Sequence, residues 1–215
     1  DEDGTMIPLS LFLPVLNENS YIRYVDQMVF ELVCKMIQES IQKGMKMVPI
    51  SFNLSKASFE DEPFMQEYME VFQQFDIPKE YIEFELLESI SMDNSDKLIK
   101  VVDTIHKAGF RCALDDFGSG YSSMSVLARV PIDIIKLDRS LFQNPYRDID
   151  NFLIVDGLLD ILHHFPVQIV AEGVEDETVA EHMRQHGCDM IQGFYYYRPM
   201  PMDEFQRLIA EQGEC

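Results

Sequence analysis

The strongest constraint on the fold is a repeated pattern, in which a short apolar run is followed by a turn and a longer amphipathic segment. Six of these runs predict β-strands, because they are short, mostly apolar or β-branched and bounded by turn residues. They are Met47 to Asn53, Tyr81 to Glu85, Arg111 to Asp115, Ile132 to Lys136, Val167 to Glu172 and Met190 to Gln192. Strands that alternate with helices favour a parallel sheet covered by helices.

Helical periodicity follows most of these strands. Two sets of apolar residues recur at helical spacing: Leu98, Val101, Val102 and Ile105 before Gly109, and Phe152, Leu153, Leu159 and Ile161 before Phe165. The chain itself is predicted to open with a loop and then a helix at roughly Tyr21 to Lys43.

Every predicted strand ends on a polar side chain that is able to bind a metal ion or a phosphate. These residues are Asn53, Glu85, Asp115, Lys136, Glu172 and Gln192. In a closed parallel barrel the strand ends share one face, where TIM-barrel active sites lie, whereas an open sheet would spread them along a line. The pattern therefore favours a TIM-barrel-like (β/α)8 fold. Because such a barrel has eight strands, two are expected upstream of Asp1, and residues 1–215 are interpreted as a single domain that is incomplete at its N-terminus.

The composition limits the location and the domain count. With 215 residues and 47% hydrophobic content, the chain is expected to form one core. It lacks the roughly 18 to 20 consecutive apolar residues of a membrane span and the pattern of a signal peptide, so a cytoplasmic domain without membrane insertion is predicted. The four cysteines form no CxxC pair and are predicted to be reduced packing residues.

The formal net charge of −21 argues against DNA or RNA polymers as partners, because binding to a phosphate backbone normally depends on a basic surface. A nucleotide ligand would need a local cationic centre. A bound divalent metal ion can supply that charge.

Four motifs carry a family resemblance: Asn53-Leu54-Ser55, Asp115 to Ser123 (DDFGSGYSS), Lys136 to Arg139 (KLDR) and Ala171 to Glu175 (AEGVE). Together with the Glu85 to Glu88 segment and Gln192-Gly193, they follow the order of the EAL domain signature. The chain therefore resembles the EAL family. Ile7-Pro8 and Phe12 to Pro14 are similar to the segment that follows the family's EAL motif. The resemblance implies a phosphodiesterase that hydrolyses the bacterial second messenger cyclic di-GMP to linear pGpG.

The resemblance also implies a role for each matching residue. The implied ligands of two Mg²⁺ or Mn²⁺ ions are Asn53, Glu85, Asp115, Asp116 and Glu172. Lys136 matches the family lysine that contacts the attacking water, and Glu172 could add general-base character. Gln192, Asp138 and Glu175 match positions near the substrate. Glu88 resembles the glutamate that anchors the loop Phe117 to Ser123.

The same resemblance implies a homodimer and is compatible with an attached upstream sensory or diguanylate-cyclase (GGDEF) domain, or with a membrane-anchored parent protein. The alternative function is an EAL-like domain that binds cyclic di-GMP without cutting it, as a receptor or regulatory module. Leu87 stands where the family commonly has threonine, and this departure bears on the choice.

Competing interpretations apply to single residues. One or two of the strand-end carboxylates could be ordinary helix caps, although this does not explain the whole set. His182 and His186 are four residues apart but lack the glutamate of an HExxH motif, so a solvated helix face is predicted for them. Tyr195 to Tyr197 are left without a role.

Overall fold

Six parallel strands form the framework of the protein, as seen in a computed structural model that describes residues 9–18, 21–59, 64–88, 95–119, 124–142 and 152–212. The strands are β1 (Ile50–Asn53), β2 (Ile82–Leu87), β3 (Arg111–Phe117), β4 (Ile134–Leu137), β5 (Gln168–Ala171) and β6 (Met190–Ile191). They lie in the sheet in their order along the chain, and every neighbouring pair is parallel. The six predicted strands are thus confirmed.

A helix lies in each connection between successive strands, as parallel pairing requires. The helices are α1 (Leu9–Glu18), α2 (Ile22–Gln42), α3 (Phe64–Phe72), α4 (Ser95–Lys107), α5 (Met124–Arg129), α6 (Leu153–Leu162), α7 (Glu177–Gln185) and α8 (Met202–Gln212). Short 3₁₀ turns at Lys56–Phe59, Lys79–Tyr81 and Arg139–Leu141 complete the connections.

The outer face of the sheet carries the main core, because alternate strand residues point towards the helices. In β2, Ile82, Phe84 and Leu86 are fully buried on this face. The predicted face of α4 is confirmed, since Leu98, Val101, Val102 and Ile105 are all buried. The ring centroid of Phe84 lies 5.2 to 5.7 Å from those of four other aromatic residues: Phe30, Phe52, Tyr68 and Phe110.

The inner face is concave. A small cluster of Ala113, Ile134 and Val170 packs there, apart from the main core. Arg111 of β3 donates a hydrogen bond to Gln168 of β5, and the side chain therefore passes over β4. Contacts of this kind require the sheet to curl, so the strands form a half-barrel with the helices outside.

Two aspartates fix the register at the amino ends of the strands. Asp133 precedes β4; its backbone N–H donates to the carbonyl of Cys112 (3.0 Å), and its Oδ2 accepts from the N–H of the same residue (2.7 Å). Asp189 precedes β6 and makes the equivalent pair of bonds with Ile169, at 3.0 and 2.7 Å. Each aspartate side chain thereby supplies a hydrogen-bond acceptor for a backbone N–H group of the neighbouring strand, at the point where the pairing of the two strands begins.

One sequence prediction was wrong in this part of the molecule. The opening segment is not a loop over residues 9–18, where α1 forms with Pro14 inside it. The helix predicted before Phe165 is confirmed as α6, in which the buried residues are Val155, Leu158, Leu159 and Leu162, while Leu153 and Ile161 are exposed. Most residues of α6 are themselves apolar and are spread around the whole helix. The spacing of apolar residues therefore does not identify the face that packs on the sheet.

Smaller findings complete the comparison. Cys34, Cys112 and Cys188 are free thiols, as predicted, while Cys215 and the Ile7-Pro8 pair lie outside the described residues. None of the helices in the described ranges combines the length and apolar character needed to cross a bilayer.

Phe84→Ala is expected to lower the free energy of unfolding by about 3 to 5 kcal/mol, because it removes the ring around which the aromatic cluster packs. Phe84→Leu should lower it by a smaller amount. Phe194→Ala is the matched control, since Phe194 is 49% exposed, and a change within about 0.5 kcal/mol is expected there. Urea unfolding of the three variants measures these differences. Equal losses for Phe84→Ala and Phe194→Ala would contradict this account of the core.

Candidate active site

Lys136 lies at the centre of a group of carboxylates on the concave face. Its Nζ is 2.7 Å from Oε1 of Glu85, 2.6 Å from Oε1 of Glu172 and 3.8 Å from Oδ1 of Asp115. One oxygen from each of the three carboxylates lies within 4.8 Å of the others. Lys136 and Glu85 are only 6% and 4% exposed. The predicted convergence of these four residues is present in the structure.

A β-bulge at the end of β3 supplies two consecutive aspartates to this region. Leu114 pairs with Ile135 and Phe117 pairs with Leu137, so Asp115 and Asp116 together stand opposite Lys136. Asp116 adopts a φ of 58°, in the left-handed region that aspartate tolerates better than most residues. A regular strand would point the two side chains to opposite faces.

Asn53 and Leu87 are placed by strand register. Asn53 pairs with Glu85 and borders the concave cavity. Leu87 pairs with Asp115, and it belongs to β2 because that strand extends beyond the predicted end at Glu85. Since in-register neighbours of parallel strands point to the same face, Leu87 lies on the same side of the sheet as Asp115.

Glu88 connects the end of β2 to the loop that follows β3. The residue is 1% exposed; its N–H donates to the carbonyl of Asp115 (3.0 Å), and its Oε2 accepts from the N–H of Gly118 (3.3 Å). Gly118 has a φ of +95°, and a Cβ there would lie 2.6 Å from the side chain of Leu141. Residues 120–123 of this loop lie outside the described residues.

The three residues predicted to contact substrate lie outside the three-carboxylate group. Gln192 follows β6 and lines the cavity. Asp138 caps the 3₁₀ turn Arg139–Leu141, with its Oδ1 accepting from the N–H of Ser140 (2.9 Å). Glu175 lies 3.5 Å from the guanidinium of Arg139. Substrate roles for these residues stay predictions.

The pKa values of Glu85, Asp115 and Glu172 differ because burial, their mutual hydrogen bonds and the charge of Lys136 act on each of them to a different extent. Burial raises the pKa of Glu85 to about 7, against the opposing effect of Lys136, and burial with a hydrogen bond to Asp115 raises the pKa of Glu172 to about 8. Burial also acts to raise the pKa of Asp115, but the hydrogen bond from Glu172 and the charge of Lys136 outweigh it and lower that pKa. Burial and the charges of Asp115 and Asp138 raise the pKa of Asp116.

These residues fit a divalent cation. One ammonium faces three carboxyl groups, and burial raises the pKa values of Glu85 and Glu172, so a bound cation would balance charge that Lys136 alone does not. Carboxylate oxygens are the ligands that Mg²⁺ and Mn²⁺ prefer. Glu85 and Lys136 line a cavity of about 890 Å³ together with Asn53 and Gln192, and this cavity extends along the inner side of the sheet to Ser51 and Arg111.

A parallel half-barrel with an acidic cluster at the carboxyl ends of its strands defines a class of α/β barrel proteins whose active site lies on that face. The particular family is also shown. The chain belongs to the EAL domain family, whose model matches residues 1–199.

Relatives of known name share the same region. The signaling protein YkoW of Bacillus subtilis is 29% identical over 210 residues, which cover 98% of this chain and 26% of YkoW. The bifunctional diguanylate cyclase/cyclic di-GMP phosphodiesterase MucR of Pseudomonas aeruginosa is 28% identical over 199 residues, covering 93% of this chain and 29% of MucR. The chain thus spans less than a third of the length of either relative.

Solved structures agree with the fold. The PaMucR phosphodiesterase in complex with c-di-GMP superposes with a TM-score of 0.86 at 27% identity, covering 94% of this chain and 82% of that one. The EAL domain of Mycobacterium smegmatis DcpA superposes with a TM-score of 0.78 at 28% identity, covering 85% and 82% of the two chains.

The sequence patterns did not predict two structural features, the β-bulge in β3 and the contact of His182. The bulge at Asp115 and Asp116 was signalled only by two consecutive acidic residues at a strand end. The prediction of a solvated face is wrong for His182, whose side chain is 19% exposed and bonded to Asp156. That aspartate lies on the preceding helix, and no local pattern pairs it with the histidine.

Mn²⁺ or Mg²⁺ is expected to bind the folded domain and to raise its free energy of unfolding by about 2.7 kcal/mol at about 100 times the dissociation constant, which raises its Tm. Because the cation displaces protons from Glu85 and Glu172, whose pKa values are about 7 and 8, binding should tighten as the pH rises from about 6 to about 8. Calorimetry in buffers of different ionisation enthalpy measures both the affinity and the protons released.

Glu172→Gln should reduce the proton release, while Asp96→Asn, at a carboxylate that is 73% exposed on α4, should leave it unchanged. Metal binding that does not vary with pH, or that survives Asp115→Asn and Glu172→Gln together, would rule out this carboxylate group as the site.

Proposed function

We propose that this domain hydrolyses cyclic di-GMP to linear pGpG by a two-metal phosphodiesterase mechanism. The observation that carries the proposal is the contact of the buried Lys136 ammonium with three carboxyl groups at the strand ends. Membership of the EAL family supports it, as does the likeness to MucR, which is named as a cyclic di-GMP phosphodiesterase. An acidic protein needs a concentrated positive charge to hold an anionic diester, and cations bound by the strand-end carboxylates would supply it.

Each residue then has a chemical task. We propose that Asn53, Glu85, Asp115, Asp116 and Glu172 hold two divalent ions, which would supply activation of a water and neutralisation of charge on the phosphodiester. Lys136 lies within hydrogen-bond distance of Glu85 and Glu172, so its ammonium is positioned to orient the attacking water and to stabilise negative charge that develops on oxygen.

The surrounding residues position this centre. Glu88 ties the loop after β3 to the end of β2 through Gly118 and so holds the bulged aspartates in place. Gln192 borders the cavity and is proposed to contact the nucleotide, together with Asp138 and Glu175. We further propose that two more strands close the barrel beside β1 and β6, and that the closed domain acts as a homodimer.

Asp115→Asn, Glu172→Gln and Lys136→Ala are each expected to reduce kcat/KM for cyclic di-GMP by about 100- to 1,000-fold or more, because each removes a charge that acts at the reacting centre. The combined variant should lose much less than the product of the single losses, since the residues act as one unit. Chromatography of cyclic di-GMP and pGpG measures turnover by the intact domain with Mn²⁺.

Matched controls are Asp96→Asn and Lys107→Ala, which alter exposed residues of the same types. Turnover at the parent rate by a folded triple variant would overturn the mechanism. Tight binding of cyclic di-GMP by the parent domain, without pGpG after long incubation with excess Mn²⁺, would establish the receptor function instead.

Leu87→Thr is expected to lower the Mn²⁺ concentration that gives half-maximal hydrolysis. Leu87 stands in register with Asp115, and an apolar side chain cannot donate the hydrogen bond that a threonine hydroxyl could. Losses of such supporting bonds typically cost about 10- to 100-fold in metal affinity or activity.

Leu87→Val is the control, because valine has nearly the shape of threonine but lacks its hydroxyl group. A metal dependence that is the same in the parent, Leu87→Thr and Leu87→Val would show that this position does not support the metal site.

A further inference from the structure

Asp26 is a buried acidic residue of α2 that takes no part in the proposed hydrolysis. It is 8% exposed. Its Oδ2 accepts two hydrogen bonds, from the backbone N–H of Ser55 (3.0 Å) and from the hydroxyl group of Ser58 (2.6 Å), which is itself 1% exposed. A carboxylate loses hydration when it is buried, so hydrogen bonds of this kind are needed to hold it there. Asp26 therefore connects α2 to the segment that directly follows β1.

The same face of α2 also packs on β1 itself. Residues four apart share a helix face, and Phe30 lies four residues after Asp26. The ring centroid of Phe30 is 5.4 Å from that of Phe52, in an edge-to-face contact. Within the described sheet β1 is an edge strand that pairs with β2 alone. Helix α2 thus supports β1 at two points, at Phe52 within the strand and at Ser55 beyond its end.

Asn53 lies between these two points of attachment. Because Leu54 is 2% exposed and packs in the core, alternation directs Asn53 to the concave face, where it borders the cavity. The N–H of Leu54 donates to the carbonyl of Glu85 (2.9 Å), which fixes the backbone on the side of β2. The bond from Ser55 to Asp26 fixes it on the side of α2. Two residues of extended chain span at most about 7 Å, so this second attachment is close to Asn53.

The turn after β1 has local hydrogen bonds of its own. In the 3₁₀ turn Lys56–Phe59, the N–H of Ser58 donates to the carbonyl of Ser55 (3.0 Å), and the two serine hydroxyls lie 3.0 Å apart. Local bonds of this kind define the shape of a turn. Asp26 is 29 residues away from Ser55 in the sequence, so its bonds act at a different level, by fixing the turn relative to α2.

We propose that Asp26 is a positioning residue for the metal site, which holds the amide of Asn53 towards the ions by fixing the chain at Ser55 and Ser58. This inference rests on the proposed function, in which Asn53 is a metal ligand. Asn53 is the one neutral member of the proposed ligand set. An amide oxygen carries no net charge to attract a cation, so its contribution depends on its placement, and residues that orient ligands commonly account for about 10- to 100-fold in metal affinity or activity.

Calorimetric titration of the intact domain with Mn²⁺ tests this role, together with the Mn²⁺ concentration that gives half-maximal hydrolysis of cyclic di-GMP. Asp26→Leu removes the acceptor of both bonds and should weaken Mn²⁺ binding by about 10- to 100-fold. Asp26→Asn should bind Mn²⁺ nearly as the parent does, because one amide oxygen can accept the two bonds that Oδ2 accepts. Ser58→Ala removes only one of these bonds and should weaken binding by a smaller factor.

Two comparisons separate positioning from a general loss of stability. Asp133→Leu is the matched control, because Asp133 also accepts a bond from a backbone N–H, that of Cys112, but at the amino ends of the strands. It should lower the Tm and leave the Mn²⁺ affinity unchanged. In the background of Asn53→Ala, Asp26→Leu should cause no further loss of Mn²⁺ affinity, since residues that act through one another are not additive.

Unchanged Mn²⁺ affinity in Asp26→Leu, an equal loss in Asp26→Asn, or the same fold loss with and without Asn53 would each overturn the role of Asp26. If circular dichroism shows that Asp26→Leu does not fold, Ser58→Ala decides in its place, and unchanged affinity there overturns the role. A parent domain that binds Mn²⁺ without hydrolysing cyclic di-GMP would overturn the proposed function alone, because the effect of Asp26 is measured by binding. A parent that binds no Mn²⁺ would overturn both.

Discussion

The buried ion cluster around Lys136 is the constraint on which the carboxyl ends of the strands depend. Its partners Glu85, Asp115 and Glu172 come from β2, β3 and the residue after β5, so one ammonium joins four neighbouring strand ends. Removing one partner from a buried ion pair commonly costs about 3 to 5 kcal/mol. Lys136 therefore has a structural task in addition to its proposed catalytic one, and the curl of the sheet brings the cluster together.

The balance of charge within that cluster explains why it is suited to exchange protons for cations. Burial raises the pKa values of Glu85 and Glu172, and the single lysine opposes that rise only in part. Asp115 remains the ionised member because its neighbours donate hydrogen bonds to it.

The sequence was sufficient to predict the strands and the convergence of Glu85, Asp115 and Glu172 around Lys136, because both depend on local alternation. Phe84 and Glu85 are adjacent and must point to opposite faces, so a pattern of apolar and acidic residues identifies both the core and the site. The buried face of α6 was not predictable in this way, since apolar residues occur on every side of that helix. The partner of His182 was also not predictable, because Asp156 is 26 residues away and meets it only through the packing of two helices.

The bulge in β3 depends on pairing with β4 and has a consequence for the evolution of this chain. Two residues of one strand share a single partner there, which allows consecutive codons to supply two acidic groups next to Lys136. Deletion of one codon between those for Leu114 and Phe117 would restore an uninterrupted ladder and leave the sheet intact. The same deletion would remove one of the paired acidic groups. A change in length of one residue can thus remove one proposed metal ligand while the rest of the cluster and the order of the strands are kept.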